Sequence, residues 1–270
     1  MEYGVGFPEA QKDFVATHES LLDRLPHIKT AIDVVIFKAL RSELNDKVVY
    51  FLTRIVFEDF SEILLLCANG LSTGGMKILR GMFERTVTVS FLAKHPEKTE
   101  LFWNFYHVTR QKQIRLITEV FPNLLKQETV DKANLEYEEV KKDYEINDCR
   151  KCGTKRINLA WLRDNILTMA KDVGDLEPAI LYSYYRPLEE THPSAAAIVR
   201  RAKFTGEDTY KFDDEAKPEE DKLTLFSAHF LVLKTLNAAQ DHFKLEELKV
   251  PLQRCLDDFV EVWKLNVTEH

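Results

Sequence analysis

"VVYFLTRIVFEDFSEILLLCA", residues 48–68, decides the fold. The stretch is long enough to cross a bilayer, which takes about 20 apolar residues. It also carries Arg54, Glu58, Asp59 and Glu62, and no run of bilayer length elsewhere in the chain is free of charge. Its apolar positions Val48, Phe51, Leu52, Ile55, Val56, Ile63 and Leu66 largely follow i, i+3, i+4 spacing, which is the period of a helix and not of a strand. The stretch therefore reads as a core helix of a water-soluble bundle. Asn45 or Asp46 is expected to cap it, and the "NG" at 69–70 to close it, because glycine accepts the left-handed conformation at a helix end.

Working outward, the same punctuation recurs. Ser72 or Thr73 is expected to cap a helix running to about Lys94, and "HPEKTE" (95–100) stops it and starts another over 96–119, with Pro96 in its first turn. Upstream, residues 9–42 read as helical with a break at Pro26. Residues 123–146 hold seven acids and four lysines and predict a charged helical arm. Helices are expected over 158–173, 176–185, 187–200, 219–243 and 246–266, with Pro251 in the first turn of the last. "KFTGEDTYKF" (203–212) alternates around Gly206 and predicts a short β-hairpin, the one piece of β-structure expected. The segment "DDEAKPEED" (213–221) reads as an acidic loop. With only 9 Gly and 9 Pro in 270 residues, the chain does not have the turn content of an all-β protein. The expectation is an all-α multi-helix bundle, one helical domain over 1–270, with residues 123–157 forming the charged arm and a cysteine loop.

Charge and cysteine usage limit the partners. The formal net charge is -7, whereas a non-specific nucleic-acid binder is basic overall, so no DNA partner is expected and any RNA contact must rest on a local patch. Four cysteines do not make a disulfide scaffold, and the opening "MEYGVGFPEAQKDF" has neither the basic start nor the apolar run of a leader peptide. A cytoplasmic protein with no membrane partner is the reading. Cys149 and Cys152 form a lone CxxC, two ligands short of a structural zinc site unless His18, His27 or His107, or a second subunit, completes it. Around them lie Arg150, Lys151, Lys155 and Arg156, a local basic patch that, with "RRAK" at 200–203, is expected either to attract phosphate or to be a solvated loop. No cofactor is expected: there is no phosphate-binding glycine loop, no GxGxxG and no HExxH.

The stretch with the most chemistry is "YYRPLEETHPS", 184–194. Metal-free RNA cleavage needs a proton carrier at the 2′-hydroxyl or leaving oxygen and a cation for the charge that develops on phosphorus. Arg186 and His192 are the candidate catalytic pair, and Tyr182, Tyr184 and Tyr185 can stack a base. Arg80 and Glu84, four apart on one helix, can pair, and their stripe continues through Val87 and Phe91. An ion pair on an apolar stripe is a structural clamp or part of a site.

"GGMKILRGMFERTVTVSFLAKHPE" (74–97), "WLRDNILTMAKDVG" (161–174) and "YYRPLEETHPS" together resemble the bacterial domain-of-unknown-function family numbered 5677 over roughly residues 45–205. The resemblance implies an all-helical fold and a bacterial origin, and brings no activity with it. The Arg-x-Leu…His element is also similar to the R-x(4–6)-H motif of HEPN domains, many of which are RNases of toxin and phage-defence systems. Arg186 and His192 match that motif; Pro187 stands where HEPN nucleases carry a polar residue, and Glu189 where the unknown-function family has serine. The first expectation is a metal-independent, HEPN-like endoribonuclease acting as a homodimer. Its catalytic residues would be Arg186 and His192, and its substrate-binding residues Arg80, Glu84, Tyr182 and Tyr185. The alternative is a non-catalytic helical module that binds a protein or small ligand and uses the same cluster as a buried polar network. Cys149 and Cys152 are the only metal-ligand candidates.

Overall fold

The structure, a computed structural model, describes residues 7–147, 153–163, 165–192, 194–206, 209–213 and 218–265. Its elements are α1 (Pro8–Leu22), α2 (Leu25–Lys38), α3 (Leu44–Ala68), α4 (Ser72–Lys94), α5 (Thr99–Val120), α6 (Gln127–Val140), β1 (Glu145–Asn147), β2 (Lys155–Ile157), α7 (Ile166–Val173), α8 (Arg186–Thr191), α9 (Ala195–Arg201), β3 (Ala202–Gly206), β4 (Thr209–Phe212), α10 (Pro218–Phe243) and α11 (Lys249–Trp263). The protein is all-α, with two small antiparallel hairpins, β1–β2 and β3–β4, among the described residues. Among the described residues no helix is long and apolar enough to cross a membrane. The chain divides into two compact units, one of Met1–Lys94 with Met169–His270, the other of His95–Thr168.

The core of the first unit is the packing of α3, α4 and α10. On α3 the fully buried line is Val49, Val56 and Ile63; on α4 it includes Leu79, Met82, Phe83, Val87 and Leu92; on α10 it includes Leu225, Leu231, Val232, Leu236 and Phe243. Phe51 and Ile55, expected in the α3 stripe, face solvent, while Thr53 and Asp59 are buried. The reason is that α3 packs on α4 and α10 together, so its buried face is wide and centred on Val56. At Gly75 of α4 the helices come close together: a Cβ there would stand 3.4 Å from both Cys67 Sγ of α3 and Thr224 Cγ2 of α10. A buried hydrogen bond of 3.1 Å from Thr235 Oγ1 to Thr86 Oγ1 joins α10 to α4.

Several helix ends follow the sequence. Gly70 (φ 72) closes α3 as its left-handed residue, Pro26 lies in the first turn of α2, and Pro251 in that of α11. Others differ. Asn45 and Asp46 lie inside the first turn of α3, which begins at Leu44, and Asp46 accepts from His242 at 2.8 Å. The helix expected over 158–173 forms only from Ile166, since the Asn158 side chain donates to Leu162 O and Asn165 Oδ1 caps by accepting from Leu167 and Thr168 N–H. The 187–200 run is two helices: His192 is extended (φ −104, ψ 152) ahead of Pro193, and the Ser194 hydroxyl accepts from Ala197 N–H to start α9. The acidic 213–221 segment is in part helix, because α10 begins at Pro218.

In the second unit, α6 runs along α5, and a 3₁₀ turn, Lys141–Tyr144, leads into β1. Ala133 and Tyr144 are buried, and the Tyr144 hydroxyl donates to Leu101 O at 2.6 Å. The β1–β2 hairpin flanks the CxxC and was not expected; its strands are three residues each, too short to show a two-residue period.

Candidate functional site

The "YYRPLEETHPS" stretch begins in a π-helical turn, Leu181–Tyr185, that runs straight into α8. Such wide turns insert one residue into a helix and recur at functional positions. The turn packs on α4, burying Ser183 and setting Tyr184 on Phe83, with ring centroids 5.8 Å apart. The Ser183 hydroxyl has no hydrogen-bond partner among the described residues. Pro187 occupies the first turn of α8, where a missing N–H costs nothing, so Arg186 stands at the helix start.

Two ionic groups result. In the first, Arg80 of α4 donates from Nε to Glu84 Oε1 at 3.1 Å, lies over the Tyr184 ring with Cζ 5.0 Å from its centroid, and donates from Nη1 to His192 Nε2 at 2.9 Å. A guanidinium only donates, so in this contact His192 Nε2 is the acceptor. In the second, Arg186 meets Glu189 at 3.6 Å and Glu220 of α10 at 3.4 Å, and Glu220 also accepts from the Thr73 hydroxyl at 3.2 Å. Arg200 of α9 donates to Glu189 and, at 2.7 Å, to Glu190; Arg201 donates to Glu190 at 2.6 Å. The Glu190 side chain is only 3% exposed. Burial and the neighbouring Arg186 lower the Arg200 pKa from its ordinary value, against the pull of Glu220.

The structure thus places Arg80, Glu84, Tyr184 and His192 together, and Arg186 in the adjoining group. No hydrogen bond or ion pair joins Arg186 to His192 among the described residues. His192 is exposed, and Arg186 is 30% exposed. Tyr182 and Tyr185 are exposed on the π turn; Tyr185 makes an edge contact with Tyr184. Sequence reasoning did not identify Glu189, Glu190, Glu220, Arg200 and Arg201 as members. The available signal was the pairing of two adjacent acids at 189–190 with two adjacent arginines at 200–201.

Cys149 and Cys152 lie outside the described residues. His27 Nδ1 is 2.6 Å from Asp258, His18 packs on Phe14 with ring centroids 4.7 Å apart, and His107 Nδ1 is 3.4 Å from Glu136. Among the described residues, no group of three or more His, Cys, Asp or Glu side chains has the arrangement to hold a metal ion.

Comparison with known families matches residues 46–210, more than half the chain, to a family of unknown function, DUF5677. The chain belongs to that family. No curated protein and no solved structure matches it. The DUF5677 match spans α3 to β4 and therefore takes in Arg80, Glu84 and the whole of the 184–194 stretch, while Glu220 falls beyond it.

Proposed function

We propose that this DUF5677 protein is a non-catalytic helical module that binds a protein or small ligand, in which the arginine–glutamate–histidine cluster is a structural network. The observation that carries the reading is that every arginine of the cluster already faces a carboxylate: Arg80 faces Glu84, Arg186 faces Glu189 and Glu220, Arg200 faces Glu189 and Glu190, and Arg201 faces Glu190. Four cations and four anions leave no surplus positive charge to draw in a phosphodiester. The network also has structural work to do. No residue of α9 is buried, and its Ile198 and Val199 are exposed, so its ion pairs to α8 supply the attachment that apolar contacts do not.

A second reading, the metal-independent HEPN-like endoribonuclease acting as a homodimer, is favoured by one observation: His192 is exposed and its Nε2 is touched by an arginine. In that reading an incoming phosphate draws Arg80 off Nε2, freeing the imidazole to take the 2′-hydroxyl proton, and Arg186 leaves Glu189 and Glu220 to meet the phosphorane. The discriminating experiment is an RNA-cleavage assay without metal, using wild type and His192→Ala and checking each by thermal melt. The proposal expects no cleavage by wild type and a melt lowered by a few degrees in the variant, as for the loss of about 1 kcal/mol. Cleavage by wild type that disappears in a variant melting like wild type overturns it in favour of the nuclease.

A further inference from the structure

The His95–Thr168 unit holds a cavity of about 270 Å³ built from α5, α6 and the end of β2. Phe105 and Val108 of α5 and Ile157 of β2 give it apolar walls. Lys112 and Arg115, one turn apart on α5, and Tyr137 of α6 are also among its lining residues. Neither Lys112 nor Arg115 has a hydrogen bond or ion pair with any described residue, and neither does the Tyr137 hydroxyl hydrogen-bond to one.

Arg110 and Lys132 pair with Glu136, Lys141 with Glu138, and Lys155 with Glu145. In a chain with 44 acids to 37 basic residues, anionic partners are plentiful. Two cations left unpaired on one turn, beside an apolar recess and a free phenol, form a complementary surface for a molecule with an anionic head and an apolar body. The apolar walls gain from taking carbon surface out of water, and the lysine, arginine and phenol each offer a donor to an anionic oxygen.

We propose that this cavity is a binding site for a small amphipathic organic anion, an aryl or medium-chain acyl carboxylate, held by Lys112 and Arg115 at the head and by Phe105, Val108 and Ile157 along the body. The proposal is independent of how the arginine–glutamate cluster is used.

The test uses the full chain with 1-anilinonaphthalene-8-sulfonate as the fluorescent aryl anion and octanoate as the competing carboxylate. Wild type is expected to give saturable fluorescence that octanoate displaces. Lys112→Glu/Arg115→Glu, with an unchanged melt, is expected to bind the probe about tenfold more weakly, as for the loss of one or two charge-assisted hydrogen bonds. Lys126→Glu/Lys142→Glu makes the same change of charge on the same unit away from the cavity, and is expected to bind like wild type. Three results each overturn the proposal: no octanoate-displaceable binding to wild type, undiminished binding to the Lys112/Arg115 variant, or equal loss in the control pair, which reduces the effect to net charge.

Discussion

His229 lies fully buried on α10, its ring 5.0 Å from that of Phe259 and in edge contact with Trp263. Trp263 Nε1–H donates to His229 Nδ1 at 3.3 Å, so the proton of the neutral ring sits on Nε2, which has no hydrogen-bond partner among the described residues. Burial, opposed in part by Asp258, pushes the pKa from an ordinary 6.5 down to about 4. The unfolded imidazole takes up a proton as pH drops through 6.5, and the folded one resists until about 4, so folding loses stability across that window and the loss levels off below it. A displacement of this size corresponds to roughly 3 kcal/mol. Asp59 works in the opposite sense: burial, against the pull of Arg85 at 2.6 Å, raises its carboxyl to about 6, so the folded state gains from its protonation as pH falls below that point. The difference between wild type and His229→Phe isolates the imidazole. Urea unfolding at about pH 7 and about pH 4.5 is expected to show wild type losing more stability than the variant by about 2 kcal/mol. Equal losses would mean that the ring is solvated in the folded state.

At the level of single elements, α9 tests what its ion pairs do. With no buried residue of its own, it is fastened through Glu190, which meets both Arg200 and Arg201. Glu190→Gln keeps the shape and removes the charge, leaving two arginines on one amide. The expected cost is on the order of 1–2 kcal/mol, below that of a fully buried pair because both arginines remain about a quarter exposed. Hydrogen exchange should show amides of Ala195–Arg201 opening about tenfold more often, with those of α4 unchanged, and raised salt should do the same to wild type more weakly. If α9 amides are equally protected in the variant, the pairs do not hold the helix. How much of these elements was legible follows from where their information lies. The α2, α3, α4 and α10 helices are written in local spacing and in the Asn69–Gly70 and Pro26 punctuation, and a sequence shows both directly. The arrest of helix at 158–165 depends on asparagine side chains choosing the backbone over solvent, which the apolar period does not record. The Arg80–Glu84 pair was visible because it is four residues apart; Arg80–His192 and Arg186–Glu220 join residues 112 and 34 apart, and only the packing of α4, α8 and α10 creates them.

Over the whole molecule, the two compact units differ in how much they bury. In His95–Thr168 the buried residues among those described are Thr99, Val108, Ile114, Ala133 and Tyr144, whereas α4 alone buries twelve. Small units that remove little apolar surface from water keep little free energy after chain entropy is met. Native-state hydrogen exchange should therefore rank α3, α4 and α10 as the slowest-opening helices and α5 and α6 as faster. Tyr144 offers the sharper test, because it is the largest of the five and adds the hydrogen bond to Leu101 O and a ring contact with Phe105 at 5.2 Å. Tyr144→Ala removes all three and should cost the unit about 3–4 kcal/mol. Tyr144→Phe removes only the hydrogen bond, at about 1 kcal/mol, since Leu101 O lies within α5 and keeps its place in the helix's own ladder. With Tyr144→Ala, protection should collapse across α5, α6 and the β1–β2 hairpin while amides of α3, α4 and α10 exchange as in wild type. Equal loss of protection in both sets would mean that the chain opens as one cooperative body, because the energy removed at Tyr144 would then have been shared by both units.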